Sequence, residues 1–372
     1  MSDELLGRIV RDDGVVPGRL TIDGGLVGGI TPDPAGATGP YIVPGFVDLH
    51  VHGWGGHDAM AGHAALDGMA AALVRRGVTS FLPTAVSAPL DGLHRFAQDV
   101  RGWEAPADGA QPLGFNLEGP FLAPERKGAH DQRHLRRPAD VPAADLEPML
   151  DGLRLTTVAP ELDGALELIA RLVERGVVVS LGHSDATLEQ ARAGYAAGAR
   201  STTHLFNAMS GLSHRRPGLA AAALADDGVA VELIADDAHV DPVLYRLVAR
   251  SKPANRLFLV SDALSLAGTS DGHARLGDLD VELRNGRATL AGSDTLAGSV
   301  IALDSAVRNL VASGIALTDA VAAAGRNPAH LLGLDDRGRI EVGLRADLVE
   351  LDEVLGVRRV WVGGRLVPPT AP

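Results

Sequence analysis

Eight short β-rich runs, spaced between residues 45 and 262 and parted for the most part by helical patterns, restrict this chain to very few architectures. They read "GFVDLHVH" (45–52), "VTSFLPT" (78–84), "LGFNLEG" (113–119), "LRLTTVAP" (153–160), "VVVSLGH" (177–183), "STTHLFN" (201–207), "VAVELIAD" (229–236) and "RLFLVSD" (256–262). Between them, "ALDGMAAALVRRG", "DGALELIARLVERG" and "ATLEQARAGYAAG" each close on a glycine ahead of the next strand, a helix C-cap signal. Strands alternating with helices in this number imply a (β/α)8 TIM-like barrel. A doubly wound open sheet competes, but no G-x-G-x-x-G follows an early strand.

Both ends of the chain read differently. "GRIV", "GRLTIDGG" and "GLVGGITP" near the start, and "RGRIEVGLRADLVELD" and "RRVWVGGRLV" near the end, are short strands broken by glycine. They predict a small β-sandwich domain formed by both chain termini, residues 1–43 and 335–372, around a barrel of residues 44–334. "LDVELRNGRATLAG" predicts a β-hairpin insertion near 275–292 with Asn285-Gly286 at its turn. At 372 residues and 46% hydrophobic, the chain has material for one large domain and a smaller one.

Alternation along the first run puts Val47, Leu49 and Val51 on one face and Asp48, His50 and His52 on the other. In a barrel the polar set faces the interior, near the C-terminal mouth where barrel active sites lie. Histidines at i and i+2 there either bind one ion or form a hydrogen-bonded structural pair. Other runs add Glu118, His183, His204 and Asp262 at the ends of their strands. One such acid reads as a cap or turn former, but several converging on one mouth do not. With no cysteine in the chain, a metal site has to be built from His, Asp and Glu, a mixture that suits hard and borderline divalent ions. A metal lowers the pKa of bound water, and a nearby carboxylate passes the proton on to a leaving amine. Asp262, one step beyond the last apolar run, suits that second role.

In this order, "PGFVDLHVHG", "LEGPFL", "KGAH", "GHSDAT", "THLFNAM", "RRPGLA", "DDAHVDP", "LVSDA" and "AGSDTLAGS" resemble the amidohydrolase superfamily. More narrowly they are similar to the N-acetylglucosamine-6-phosphate deacetylase family, over nearly the whole chain. The resemblance implies hydrolysis of the acetamide of N-acetylglucosamine 6-phosphate to glucosamine 6-phosphate and acetate. It implies Glu118, His183 and His204 as main metal ligands, His50 and His52 at a second metal position, and Asp262 as acid/base. It implies substrate contacts at Ala129, His130, Asn207, Ala208, Arg215 and His239, and a loop at Leu296, Ala297 and Gly298 over the acetyl group. In this family Arg215 would come from the neighbouring subunit and hold the phosphate, so a homodimer is implied. One or two divalent ions per subunit are expected, zinc first and iron as the alternative.

Rival readings are a dihydroorotase- or hydantoinase-like enzyme, a deacetylase for the 4-epimer N-acetylgalactosamine 6-phosphate, and a non-catalytic sugar-phosphate-binding barrel. The first often needs a carboxylated lysine on the fourth strand, yet the only lysines are Lys127 and Lys252. A net charge of −13 argues against nucleic acid as a partner. "MSDELLGRIVRDDG" has no basic n-region or apolar h-region, and no apolar run is long enough to span a bilayer, so no membrane partner and a cytoplasmic location are expected.

Overall fold

The structure is a computed structural model that describes residues 3–368. The outermost residues of the expected terminal domain, 1–2 and 369–372, lie outside the described residues. All eight runs form strands: Phe46–Val51, Val78–Ala85, Phe115–Glu118, Leu153–Val158, Val178–Leu181, Ser201–Thr202, Ala230–Leu233 and Leu257–Leu259. They pair in sequence order and in parallel. The first and last come together through a parallel bridge between Val51 and Ala263 and through Asp262 N–H donating to His50 O at 2.8 Å. This is a nearly closed (β/α)8 barrel.

Residues on both faces of these strands are buried, because one face lines the interior and the other meets helices. Phe81, Phe115 and Phe258 lie in the large core beneath the helices. Each contributes on the order of 2–3 kcal/mol by leaving water. Helix ends follow the expected chemistry. Gly77 ends the first helical segment at φ 82°, a conformation glycine adopts without steric cost. Thr187 starts helix Leu188–Ala196 with a capping box shared with Gln190, which keeps the loop after the fifth strand short.

A second sheet of seven strands is built from both ends of the chain. Asp3–Arg11, Gly14–Asp23, Leu26–Pro32 and Tyr41–Pro44 join Leu348–Leu351, Val357–Val362 and Arg365–Leu366. It is antiparallel except where the first strand runs beside Tyr41–Pro44. Its edge strand Leu26–Pro32 is tied back to the C-terminal half by an antiparallel bridge from Leu26 to Arg345, just ahead of Leu348–Leu351. It wraps its own core of Leu5, Ile9, Leu20, Ile42, Leu348 and Trp361.

The insertion after the eighth strand has one strand more than the hairpin read from sequence. Gly272–Leu276 precedes Leu279–Arg284 and Arg287–Leu290, and Asn285-Gly286 forms the turn with both φ values positive. Its apolar side packs on Val86, Leu264, Leu266 and Ala297. That seats the insertion over the barrel mouth.

Candidate active site

The barrel strands end early, and the next residues turn inward. His183, His204 and Asp262 have φ of 47°, 28° and 50°, and Ala208 has 47°. Such left-handed backbone is uncommon outside glycine and concentrates at functional sites. Here it swings side chains from the ends of three strands towards one point.

Glu118 is that point. Its Oε1 lies 3.0 Å from His183 Nε2 and 2.9 Å from His204 Nε2. Its Oε2 lies 3.1 Å from His52 Nε2, 3.2 Å from His130 Nε2 and 3.4 Å from His50 Nε2. Asp262 Oδ1 lies 3.2 Å from His52 Nε2 and 3.6 Å from His50 Nε2. All seven residues are buried.

Hydrogen bonds behind the rings fix which nitrogen carries the proton. His183 Nδ1 donates to Arg126 O at 2.8 Å and His52 Nδ1 to Thr84 O at 3.1 Å, since a carbonyl can only accept. His50 Nδ1 donates to Glu232 Oε2 at 3.2 Å. In their neutral forms all three turn a bare Nε2 inward. This is how metal-ligating histidines are held. His183 and His204 Nε2 are 3.0 Å apart, and His50 and His52 Nε2 are 3.3 Å apart. Such spacings approach the edge of a tetrahedron of donors around a divalent ion bonded at about 2.0–2.1 Å. The residues therefore fit a divalent cation: His50, His52, Glu118 and Asp262 bring donor atoms together as one set, and Glu118 Oε1, His183 Nε2 and His204 Nε2, each within 3.0 Å of the other two, make another.

His130 differs. Ser87 N–H donates to its Nδ1 at 3.2 Å, so the proton sits on Nε2, 3.2 Å from Glu118. It is near the cluster but faces it as a donor and not as a ligand. Burial pushes it down to about 4, outweighing the pull of Glu118, so it is neutral at physiological pH.

Burial opposes charge on His52, but the hydrogen bonds to Asp262 and Glu118 outweigh it and carry the ring up to about 9. Burial likewise opposes charge on Asp262, and His52 and His50 outweigh it, so its carboxyl lies below the usual range. Asp48 accepts from the His50 and Ser261 backbone N–H groups at 3.3 and 3.2 Å, behind the histidine strand.

The cluster lies at the base of a cavity of about 290 Å³. Ala129, His130, Asn207, Ala208, His239 and Leu296–Gly298 all line it, as does Leu276 of the insertion. His239 Nδ1 is held by Asp236 at 2.7 Å. Arg215 is not brought in. It sits exposed on the 211–216 loop, beside a separate concavity that shares only Arg126 with the first. Arg126, unremarked in the sequence, is among the described residues the only lysine or arginine lining the cavity, and it pairs with Asp185 at 2.7 Å. Glu232 was also missed; a lone acid inside the apolar run "VAVELIAD" was the available signal. Neither lysine reaches the fourth strand: Lys252 Nζ donates to Ala223 O at 2.8 Å, and Lys127 sits in the loop before His130. Among the described residues, no helix is long and apolar enough to cross a membrane.

Comparison with known proteins adds independent findings. The amidohydrolase family model matches residues 41–367. The N-acetylgalactosamine-6-phosphate deacetylase of Escherichia coli O157:H7 is 38% identical over 94% of this chain and 94% of its own. The N-acetylglucosamine-6-phosphate deacetylase of Bos taurus is 38% identical over 88% of this chain and 84% of its own. Among solved structures, an aspartate-to-alanine variant of the Mycobacterium smegmatis N-acetyl-D-glucosamine-6-phosphate deacetylase, in complex with N-acetyl-D-glucosamine 6-phosphate, superposes with a TM-score of 0.90 at 37% identity, covering 98% of this chain and 99% of that one.

Proposed function

This chain belongs to the amidohydrolase family, and we propose that it hydrolyses the acetamide of N-acetyl-D-glucosamine 6-phosphate to D-glucosamine 6-phosphate and acetate. The observation that carries this reading is the convergence of bare histidine nitrogens on Glu118, with Asp262 beside them, at the base of a sugar-sized cavity.

Glu118, His183 and His204 would hold one divalent ion, zinc by donor chemistry. His50 and His52, with Glu118 and Asp262, would hold a second. Such an ion, when bound, lowers the pKa of water and polarises a carbonyl. The chain's own groups supply the rest. The Asp262 carboxylate takes a proton from water as it adds to the acetamide carbon, and returns it to the departing amine. His130 Nε2–H donates to the carbonyl oxygen as negative charge develops there. Asn207, Ala208 and His239 orient the sugar, and Leu296–Gly298 covers the acetyl group. Arg215 of a second copy, in a homodimer, grips the phosphate with its planar fork. A cytoplasmic location suits a phosphorylated sugar substrate.

A second reading, deacetylation of the 4-epimer N-acetylgalactosamine 6-phosphate, is favoured by the E. coli relative. Acetate release measured side by side on the two sugars tests both. The proposal expects the higher kcat/KM for the glucosamine derivative, and a preference for the galactosamine derivative would replace it with the second reading.

A further inference from the structure

Glu232 has no part in the reaction as described. It lies within the seventh barrel strand, Ala230–Leu233, and is fully buried. Oε2 accepts from two donors at once. One is His50 Nδ1–H at 3.2 Å, and the other is the backbone N–H of His204 at 3.1 Å. His50 and His204 belong to different donor sets around Glu118, so one carboxylate oxygen is shared between both sets. Among the described residues, Oε1 has no hydrogen-bond partner. Among the described residues, the only basic group paired with Glu232 is His50.

A buried carboxylate with no lysine or arginine beside it and an imidazole as its one basic partner is costly to keep out of water. Its position gives a reason to keep it. A carboxylate behind an imidazole fixes the tautomer and makes the opposite nitrogen a better ligand. Here the opposite nitrogen is His50 Nε2, which faces His52, Glu118 and Asp262. We infer that Glu232 is a positioning residue that builds the second cation site, holding His50 as a ligand and adding the negative charge that retains a divalent ion there. The inference rests on the reading of His50 and His52 as ion ligands.

Two substitutions separate charge from geometry. Glu232→Gln keeps an oxygen where Oε2 stands, so both hydrogen bonds survive and only the charge is lost. Glu232→Leu removes both. Wild type, both variants and a His50→Asn control are dialysed against graded chelator, and divalent ions per chain are counted by elemental analysis. Melting temperatures of the metal-free proteins are recorded alongside. The expected wild-type result is two ions per chain with separable affinities. Glu232→Gln should keep the tighter ion and hold the other about 10–100-fold more weakly, the usual cost of losing such a partner. His50→Asn should lose that same ion. The metal-free Gln variant should melt close to wild type. Equal retention of both ions by wild type and Glu232→Gln, with His50→Asn still losing one, would overturn the role of Glu232 and leave the His50 and His52 reading intact. Loss of both ions together with a large drop in melting temperature in Glu232→Gln would make Glu232 a structural residue only. A wild-type count of one ion, unchanged in His50→Asn, would overturn the reading of His50 and His52 and the inference with it.

Discussion

Replacing Asp262 by asparagine separates its chemistry from its place in the fold. The backbone at this position is fixed from both sides. Its N–H donates to His50 O at 2.8 Å, and its carbonyl accepts from Ser299 N–H at 2.7 Å. Its φ of 50° lies in the left-handed region, where asparagine is among the best tolerated residues. The amide is nearly isosteric with the carboxylate, so the neighbouring His52 keeps an oxygen in reach. What is lost is a group that takes and returns a proton. General acid–base catalysis contributes about 10²–10⁴ in rate, or about 2.7–5.5 kcal/mol of barrier. Asp262→Asn should therefore lower kcat and kcat/KM together by that factor, since the loss falls on the transition state. Glu118 Oε1, His183 and His204 make no hydrogen bond to Asp262, so the ion assigned to them should remain. The assay is acetate release from N-acetylglucosamine 6-phosphate, with metal content measured on the same sample. A kcat within tenfold of wild type, with the ion on Glu118, His183 and His204 retained, would refute a proton-transfer role.

Arg215→Ala should raise KM for the 6-phosphate about 10–100-fold with kcat nearly unchanged, as a charge-assisted hydrogen bond worth about 1.5–3 kcal/mol is lost equally from ground and transition states; steady-state kinetics with and without the phosphate on the sugar check this. The metal-free protein should lose stability in alkali. His52 is raised to about 9 in the fold, so its contribution is full below its unfolded value near 6.5 and disappears as pH rises through 9, a change on the order of 3 kcal/mol. Thermal melts across that window should show the decline, and loading with a divalent ion should suppress it. Gly298→Ala should impair both folding and turnover. Gly298 has φ 116°, and an added Cβ would lie 2.8 Å from Asp262 O and 2.9 Å from Leu264 Cδ2. A cost of about 1–3 kcal/mol is expected, read as a lower melting temperature.

The barrel was legible in the sequence because its strands are short apolar runs set off by glycine. The convergence of Glu118, His183, His204 and Asp262 was legible because each stands just past such a run. What the runs did not reveal is how the side chains turn inward. Strand pairing stops at Leu181, Thr202 and Leu259, and left-handed residues then redirect the chain, which no period-2 pattern encodes. Glu232 escaped notice because its value lies in contacts 182 and 28 residues away in sequence, with His50 and His204. Gly272–Leu276 escaped because its residues are largely half-buried or exposed, so it carries little apolar signal. Arg126 read as one of many arginines, and only the cavity distinguishes it. The tautomers, which separate His130 from the ligand set, depend on Ser87, Thr84 and Arg126 backbone groups brought in from other loops and strands.

The central claim is that a cation held among Glu118, His183 and His204 acts with Asp262 to cleave an N-acetylated hexosamine 6-phosphate. Titrating metal-stripped protein with Zn²⁺ while following acetate release from N-acetylglucosamine 6-phosphate tests it most directly. Negligible turnover without metal and a rise to a plateau at one or two equivalents per chain are expected. Full turnover by the metal-free protein, or none at any loading, would contradict it.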